Sequence, residues 1–342
     1  MSSPTSSTAT SADHGVGTPI TAIHSDIVRS HILNRLDGPT LTSTSCASTH
    51  LLSLCNDDHL WREICNSTWP STTDPRLRDA ISAFPSGYRS FYSDAFPAVG
   101  HQRSAKRNKK RASPAGRSGP SELISAVDIF CGDKLVYSKV MVSETHSGWF
   151  ICSPFRIDLL DPKETVPTTL KFDGEDGDCM EIASDRLRVS WVLIDPAKNR
   201  AVNVASLNAV EVRRHWLTEE VQLRFATVAA GGDGELVQCA VIVTCGGREG
   251  EEMHAREVYM QVEDMEGKIV CGMESLGILR EAMEGQRCRS SRRTEKENYE
   301  MLVKMKIDCM ERKKKRERSL DMAFVATGVS IFLAVFIHFL YR

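Results

Sequence analysis

None of the 11 cysteines forms a C-x-x-C pair, their number is odd, and they are scattered from Cys46 to Cys309. That pattern argues against a disulfide framework, which needs paired cysteines, and against a zinc ribbon, which needs close pairs. The N-terminus lacks the basic and then apolar segments of a signal peptide. Its Ser/Thr-rich run, MSSPTSSTATSADHGVGTP, reads as disordered over residues 1–19. No repeat of fixed period is visible. Catalytic signatures are missing too: there is no nucleophile elbow, no His-Glu-x-x-His pair and no Gly-x-Gly-x-x-Gly loop, and His146, His215 and His254 lie far apart. The chain therefore reads as a non-enzyme, with no catalytic residue, metal or cofactor expected.

What is present is 342 residues with 41% hydrophobic and 26% charged side chains, enough to bury a core. That length allows about two domains of roughly 100–200 residues each. The net charge of -2 is strongly segregated. Residues 103–117 carry +7 without a single acid, residues 287–318 carry a net +7, and the remainder carries -16. An acidic body is a poor nucleic-acid binder, because that affinity comes chiefly from Lys and Arg on phosphates.

From Met322 to Tyr341 runs MAFVATGVSIFLAVFIHFLY, 20 residues in which His338 is the only group that could charge near neutrality. As a helix it would be ~30 Å long, the hydrocarbon thickness of a bilayer. Lys313, Lys314, Lys315, Arg316 and Arg318 precede it and only Arg342 follows. The positive-inside rule then gives a single-pass, tail-anchored topology with the N-terminus in the cytosol; the endoplasmic reticulum is favoured over the outer mitochondrial membrane. The basic block could also rest on anionic headgroups. Upstream, Tyr299, Leu302, Val303, Met305 and Met310 recur at helical spacing among Lys and Glu, so a stem helix is expected from about 292 to 318, paired with a partner or solvated.

Near the N-terminus, Ile23, Ile27, Val28, Ile32 and Leu36 recur at steps of three to five, one apolar stripe of a helix with Ser25 as its N-cap. Asp37-Gly38-Pro39 ends it. A second short helix can start at Thr40, a third cluster holds Leu51, Leu52 and Leu54, and Leu60, Trp61 and Ile64 share one side of a fourth. About 45 residues are few to bury such an apolar load alone, so part of this surface is expected to meet another protein.

Ile23, Asp26, Ile27, Ile32, Leu33, Arg35, Leu36, Leu41, Cys46, Leu51, Asp58, Leu60 and Trp61, in that order, resemble the F-box family. The family commonly has Pro after the first apolar residue and Trp past the central Cys; here His24 and Thr49 stand instead. The resemblance implies a docking site for the Skp adaptor of a Skp–cullin ubiquitin ligase, formed by Ile23, Ile27, Ile32, Leu36, Leu41, Cys46, Leu60 and Trp61. The rest of the chain would choose a protein substrate, and the chemistry would lie elsewhere in the complex. TWPS, a basic linker, a Trp/Val-rich β region with RHWLTEE and a C-terminal anchor are similar to a group of plant F-box proteins.

Residues 96–121 are rich in Lys, Arg, Ser, Gly and Pro and read as a flexible linker. Beyond them the texture is strand-like. LISAVDIF and LVYSKVMV flank a Cys131-Gly132-Asp133-Lys134 hairpin turn, and RLRVSWVLID alternates Leu187, Val189, Trp191 and Leu193 with polar neighbours, the period of a half-buried strand. Seven or more such strands suggest an antiparallel sandwich. Arg213, Arg214 and Trp216 are the candidate substrate-binding residues, two cations and a stacking face suited to an acidic or phosphorylated motif; the plainer alternative is that they close a strand end.

The expected fold is α+β: a helical F-box region over 20–95, the linker 96–121, a β-sandwich-like recognition domain over 122–285, a basic stem over 286–319 and a transmembrane helix over 320–341. The expected function is a membrane-tethered substrate receptor of a ubiquitin ligase, with a Skp adaptor, cullin, a protein substrate and membrane lipid as partners. The alternative is a lectin-like or peptide-binding membrane module without a ligase role.

Overall fold

A computed structural model describes residues 23–98, 121–171, 178–231, 236–248, 250–287 and 292–342. The expected disordered start and nearly all of the basic linker lie outside them. The chain falls into two compact units, divided between Ile64 and Cys65.

The first unit is built from short helices, each begun by a side chain that takes up an otherwise unpaired backbone N–H. α1 (Ser25–Ile27) is capped by His24, whose Nδ1 accepts from the Asp26 N–H at 3.3 Å, one residue earlier than the Ser25 cap expected. It passes directly into a π-helical turn, Val28–Ile32, and a 3₁₀ turn, Leu33–Arg35. Asp37 does more than end this segment: its Oδ1 accepts from Thr40 N at 3.0 Å and starts α2 (Gly38–Ser45), with Pro39 in the first turn. Ser48 starts α3 (Thr49–Cys55) in the same way, through Leu51 N at 3.1 Å. α4 spans Asp58–Thr68.

The second unit holds two antiparallel sheets, as the α+β reading expects. β1 (Glu122–Cys131), β2 (Lys134–Glu144), β5 (Leu187–Asp195) and β6 (Arg200–Asn203) form one, in the order β2-β1-β5-β6. The other runs β3-β10-β9-β8-β7, from β3 (Arg156–Asp158), β7 (Glu211–Arg214), β8 (Val221–Ala230), β9 (Leu236–Gly246) and β10 (Glu252–Glu263), with β4 (Val166–Lys171) also on β10. The β1–β2 turn is the one foreseen, and Gly132 takes φ +62° there, a conformation costly for other residues. Between the sheets lies one core. Val127 and Ile129 of β1, Val189, Trp191 and Leu193 of β5, and Leu223, Phe225, Val241, Val243 and Met260 of the facing sheet fill it at alternate positions. At roughly 1.5–3 kcal/mol per buried aliphatic side chain, this layer dominates the stability of the unit.

Each sheet has part of its outer face covered as well, although Ser138 and Val142 of β2 stay exposed. β5 was expected to be half-buried, yet Ser190, Val192 and Ile194 on its second face are buried as well. The reason is the chain after Trp69, which groups with the sheets and not with the first unit. The turn Pro70–Thr73, α5 (Pro75–Ser82) and α6 (Gly87–Asp94) carry an aromatic cluster in which Trp69 meets Phe91, Tyr92 and Phe96 at ring separations of 5.5–5.8 Å. Ser71 bonds to Asp128 of β1, and the Asp94 carboxylate takes Arg200 of β6 at 2.7 Å. Short helices α7 (Gly148–Cys152), α8 (Asp178–Arg186) and α9 (Gly272–Glu284) fill out the unit.

The outer face of the second sheet is covered by α10, a single helix from Arg292 to Leu340. The stem was expected to be solvated or to meet a partner. Instead Tyr299 and Val303 pack on Val210, Ala226, Ala240 and Ile242, and Leu302 is wholly buried. Tyr299 Oη donates to Glu211 Oε2 at 2.6 Å, and Lys306 Nζ donates to Gln238 Oε1 at 2.8 Å and faces Glu263 Oε2 at 3.4 Å. Burial pulls the Lys306 ammonium below its ordinary range, opposed by Glu263. Burial alone would push the Glu263 carboxyl up; Arg224 at 2.7 Å, with Gln261 and Lys306, brings it below the usual range. Beyond this seam α10 continues into the apolar run, whose side chains from Leu320 on are exposed. Among the described residues it is the helix long and apolar enough to cross a membrane.

Candidate functional site

In the first unit the π turn decides which apolar side chains point outward. Its i→i+5 bond, Leu33 N–H to Val28 O, brings residues five apart onto one face. Val28 and Leu33 go inward and are buried, while Ile27 and Ile32 lie outward, 50% and 38% exposed. Ile23 and Leu36 are half-buried and Cys46 is exposed. Leu52 of α3 is exposed as well, because Leu51, Leu54 and Cys55 occupy the inward positions at helical spacing. Sequence reasoning missed Leu52 as a surface residue; the 51, 54, 55 spacing was the signal that could have found it.

The other expected adaptor residues lie in the interior. Leu41, Leu60 and Trp61 are buried, and the Trp61 indole N–H donates to Cys55 O at 2.7 Å, satisfying a carbonyl at the end of α3. These three side chains hold the helices together. The exposed aliphatic side chains of these helices are Ile27, Ile32 and Leu52; of the remaining expected positions, Ile23 and Leu36 are half-buried and Cys46 is exposed.

In the second unit Arg213 and Arg214 end β7, and Trp216 lies in the loop to β8. Arg213 is turned back onto Glu211 at 2.5 Å, and Arg214 Nε donates to Glu219 O at 3.4 Å. Both guanidiniums thus serve the strand end in this structure. Trp216 is 85% exposed, stacked on the His215 ring, whose Nδ1 accepts from Thr218 N at 3.2 Å; Leu217 beside it is exposed too. The loop offers an apolar, aromatic tip on a fixed turn.

A cavity of about 420 Å³ lies elsewhere in this unit, walled by Trp69, Phe96, Phe130, Arg188, Asn203 and Glu295. Arg188 donates to Gly132 O at 2.6 Å and pairs with Asp133. Glu295 accepts from the Leu207 and Asn208 N–H groups through one side, its Oε2 has no hydrogen-bond partner, and burial holds its carboxyl above the usual range. Among the described residues no group of three or more His, Cys, Asp or Glu is placed to hold a metal ion.

Three proteins of Arabidopsis thaliana are similar along nearly the whole chain. F-box protein At2g27310 is 42% identical over 341 residues, 95% of this chain and 98% of the relative. F-box protein At3g44326 is 39% identical over 354 residues, 98% of this chain and 94% of the relative. Probable F-box protein At2g36090 is 41% identical over 327 residues, 94% of each. No family model matches the chain, and no solved structure matches it.

Proposed function

This chain belongs to the F-box protein family, and from that premise we propose that it is a non-catalytic substrate receptor of a Skp–cullin–F-box ubiquitin ligase, held on a membrane by α10. The observation that carries the adaptor reading is the exposure of Ile27, Ile32 and Leu52 on a unit whose inward positions are already filled. Exposed aliphatic side chains on a small helical unit are what a partner helix buries. Ile23, Leu36 and Cys46 add to the contact; Leu41, Leu60 and Trp61 act indirectly, by fixing the helices that carry it.

The second unit is the substrate-choosing part, with the Trp216 loop as its contact. An exposed indole on a rigid turn is a common anchor for a protein partner. Arg213 and Arg214 can join such a contact by exchanging Glu211 and the Glu219 carbonyl for acidic groups of the substrate. The membrane reading is supported by the length and exposure of the apolar part of α10 and by Lys313 to Arg318 before it.

The test is co-precipitation of the full chain, in detergent, with a Skp adaptor and cullin, comparing the native protein with Ile27→Asp and Ile32→Asp. Capture by the native chain that is lost in both folded variants supports the receptor reading. Absence of capture by the native chain refutes it.

A further inference from the structure

The direction of α10 across the second sheet can be read from three of its polar contacts. Tyr299 meets Glu211 at the start of β7, Lys306 meets Gln238 near the start of β9 and Glu263 at the end of β10, and Lys313 Nζ meets Glu266 at 2.6 Å in the turn after β10. The helix therefore leaves the sandwich at the end where β9 begins and β10 finishes. From Lys313 to Met322 is nine residues, about 14 Å of helix, against a headgroup layer of roughly 5–7 Å on each side of the bilayer. That end of the sandwich must lie next to the lipid surface if the apolar run is inserted.

The same end carries a cluster of exposed apolar side chains that no other feature of the fold explains. The chain after β10 turns back, so that Phe155 N donates to Val270 O at 2.8 Å and Gly272 N donates to Ser153 O at 3.0 Å. This seats α7 and the start of α9 against each other; a Cβ on Gly272 would fall 2.0 Å from Phe150 O. On that joint Trp149 is 82% exposed and Met273 65%, with Ile269 and Lys268 exposed beside them. In the turn Glu266 is engaged by Lys313 and by Lys268 at 3.0 Å and Asp264 accepts from the Glu266 and Lys268 N–H groups, while Glu274 in the first turn of α9 is exposed. The Trp216 loop, between the end of β7 and the start of β8, is at the opposite end of the sheet.

We propose that the joint of α7 and α9 is a lipid-contacting surface, with Trp149 and Met273 seated at the level of the headgroups of the bilayer that α10 enters. Tryptophan favours this zone because its ring is apolar and its N–H is polar, and the basic row after Lys313 draws the same end towards anionic lipid. Two points of attachment, a spanning helix and a side contact, fix the tilt of the unit and hold Trp216 on the side away from the membrane. The proposal rests on the membrane reading of α10.

The experiment places a photoreactive benzophenone side chain singly at positions 149, 273, 216 and 332 of the full chain, in vesicles of phosphatidylcholine and phosphatidylserine, and identifies lipid adducts by mass spectrometry. Adducts at 149, 273 and 332, with none at 216, are expected. Adducts at 332 without any at 149 and 273 overturn the lipid-contact surface and leave the anchor standing. No adduct at 332 removes the anchor and this surface together, and adducts at 216 matching those at 149 overturn the orientation.

Discussion

The Asp128 carboxylate accepts two bonds from one residue, Ser71: the backbone N–H at 2.9 Å and the hydroxyl at 2.6 Å. A third arrives from the Ser138 hydroxyl at 2.7 Å. Burial holds this carboxyl above its usual range, and the three donors oppose that rise without cancelling it. Asp128 thus joins the turn after Trp69 to the middle of β1, and the joint is buried.

Asp128→Ala would leave three donors without their acceptor. A loss on the order of 3 kcal/mol is expected, together with faster hydrogen exchange at the Ser71 amide. A urea melt reads the first and exchange mass spectrometry the second; an unchanged Ser71 amide would deny Asp128 this role.

Ile27→Asp and Trp61→Ala should separate surface from scaffold. The first alters an exposed position and should leave the melting temperature within a few degrees. The second removes a buried ring and its bond to Cys55 O and should cost about 3–5 kcal/mol. Adaptor capture that fails in Trp61→Ala but survives in folded Ile27→Asp would move the docking surface elsewhere.

Glu295 gives a dependence on pH. Its folded carboxyl titrates above the unfolded value of roughly 4.3, so the folded state holds the proton more tightly. Its contribution to stability is full below the unfolded value and is lost as pH rises through the raised folded value. Glu295→Gln keeps the acceptor for Leu207 N and removes the charge. It should melt higher than the native chain at pH 7, by on the order of 1 kcal/mol, and the difference should vanish at pH 4. A lower melting temperature at pH 7 would contradict the account.

Lys306→Glu would put a carboxylate against Glu263, which Arg224 alone would then have to balance. The stem part of α10 should loosen from the sheet, seen as faster exchange at Leu302 and Val303 and as protease cleavage between 292 and 318. Trp216→Ala, by contrast, should not move the melting temperature and should weaken substrate capture at least tenfold; native-like capture would take the loop out of the contact.

Much of this was visible in the residues. The 187–195 strand announced its inner face by alternation, and the Gly132 turn announced the hairpin that the 123–131 strand enters. The outer faces did not, because Ser190 reads as a solvent position until Ser71, some 120 residues earlier, is known to lie over that sheet. Tyr299 and Leu302 showed a helical stripe but nothing of its partner, Ala240 and Ile242. The split between Ile27 and Val28 was hidden for another reason: stepping at 3.6 residues per turn assumes a regular helix, and the π turn shifts the face.

The seat of α10 sets an order of events during synthesis. Domains generally fold as the chain is made, N-terminal parts first. β8 and β9 are complete at Gly246, yet the Tyr299 that covers Ala226, Ala240 and Ile242 follows 53 residues later. Over that interval the nascent chain carries an uncovered apolar strip. The helix that finally closes it is the same one that carries the apolar run, so shielding of the sheet and delivery to the bilayer are completed by a single stretch of newly made chain.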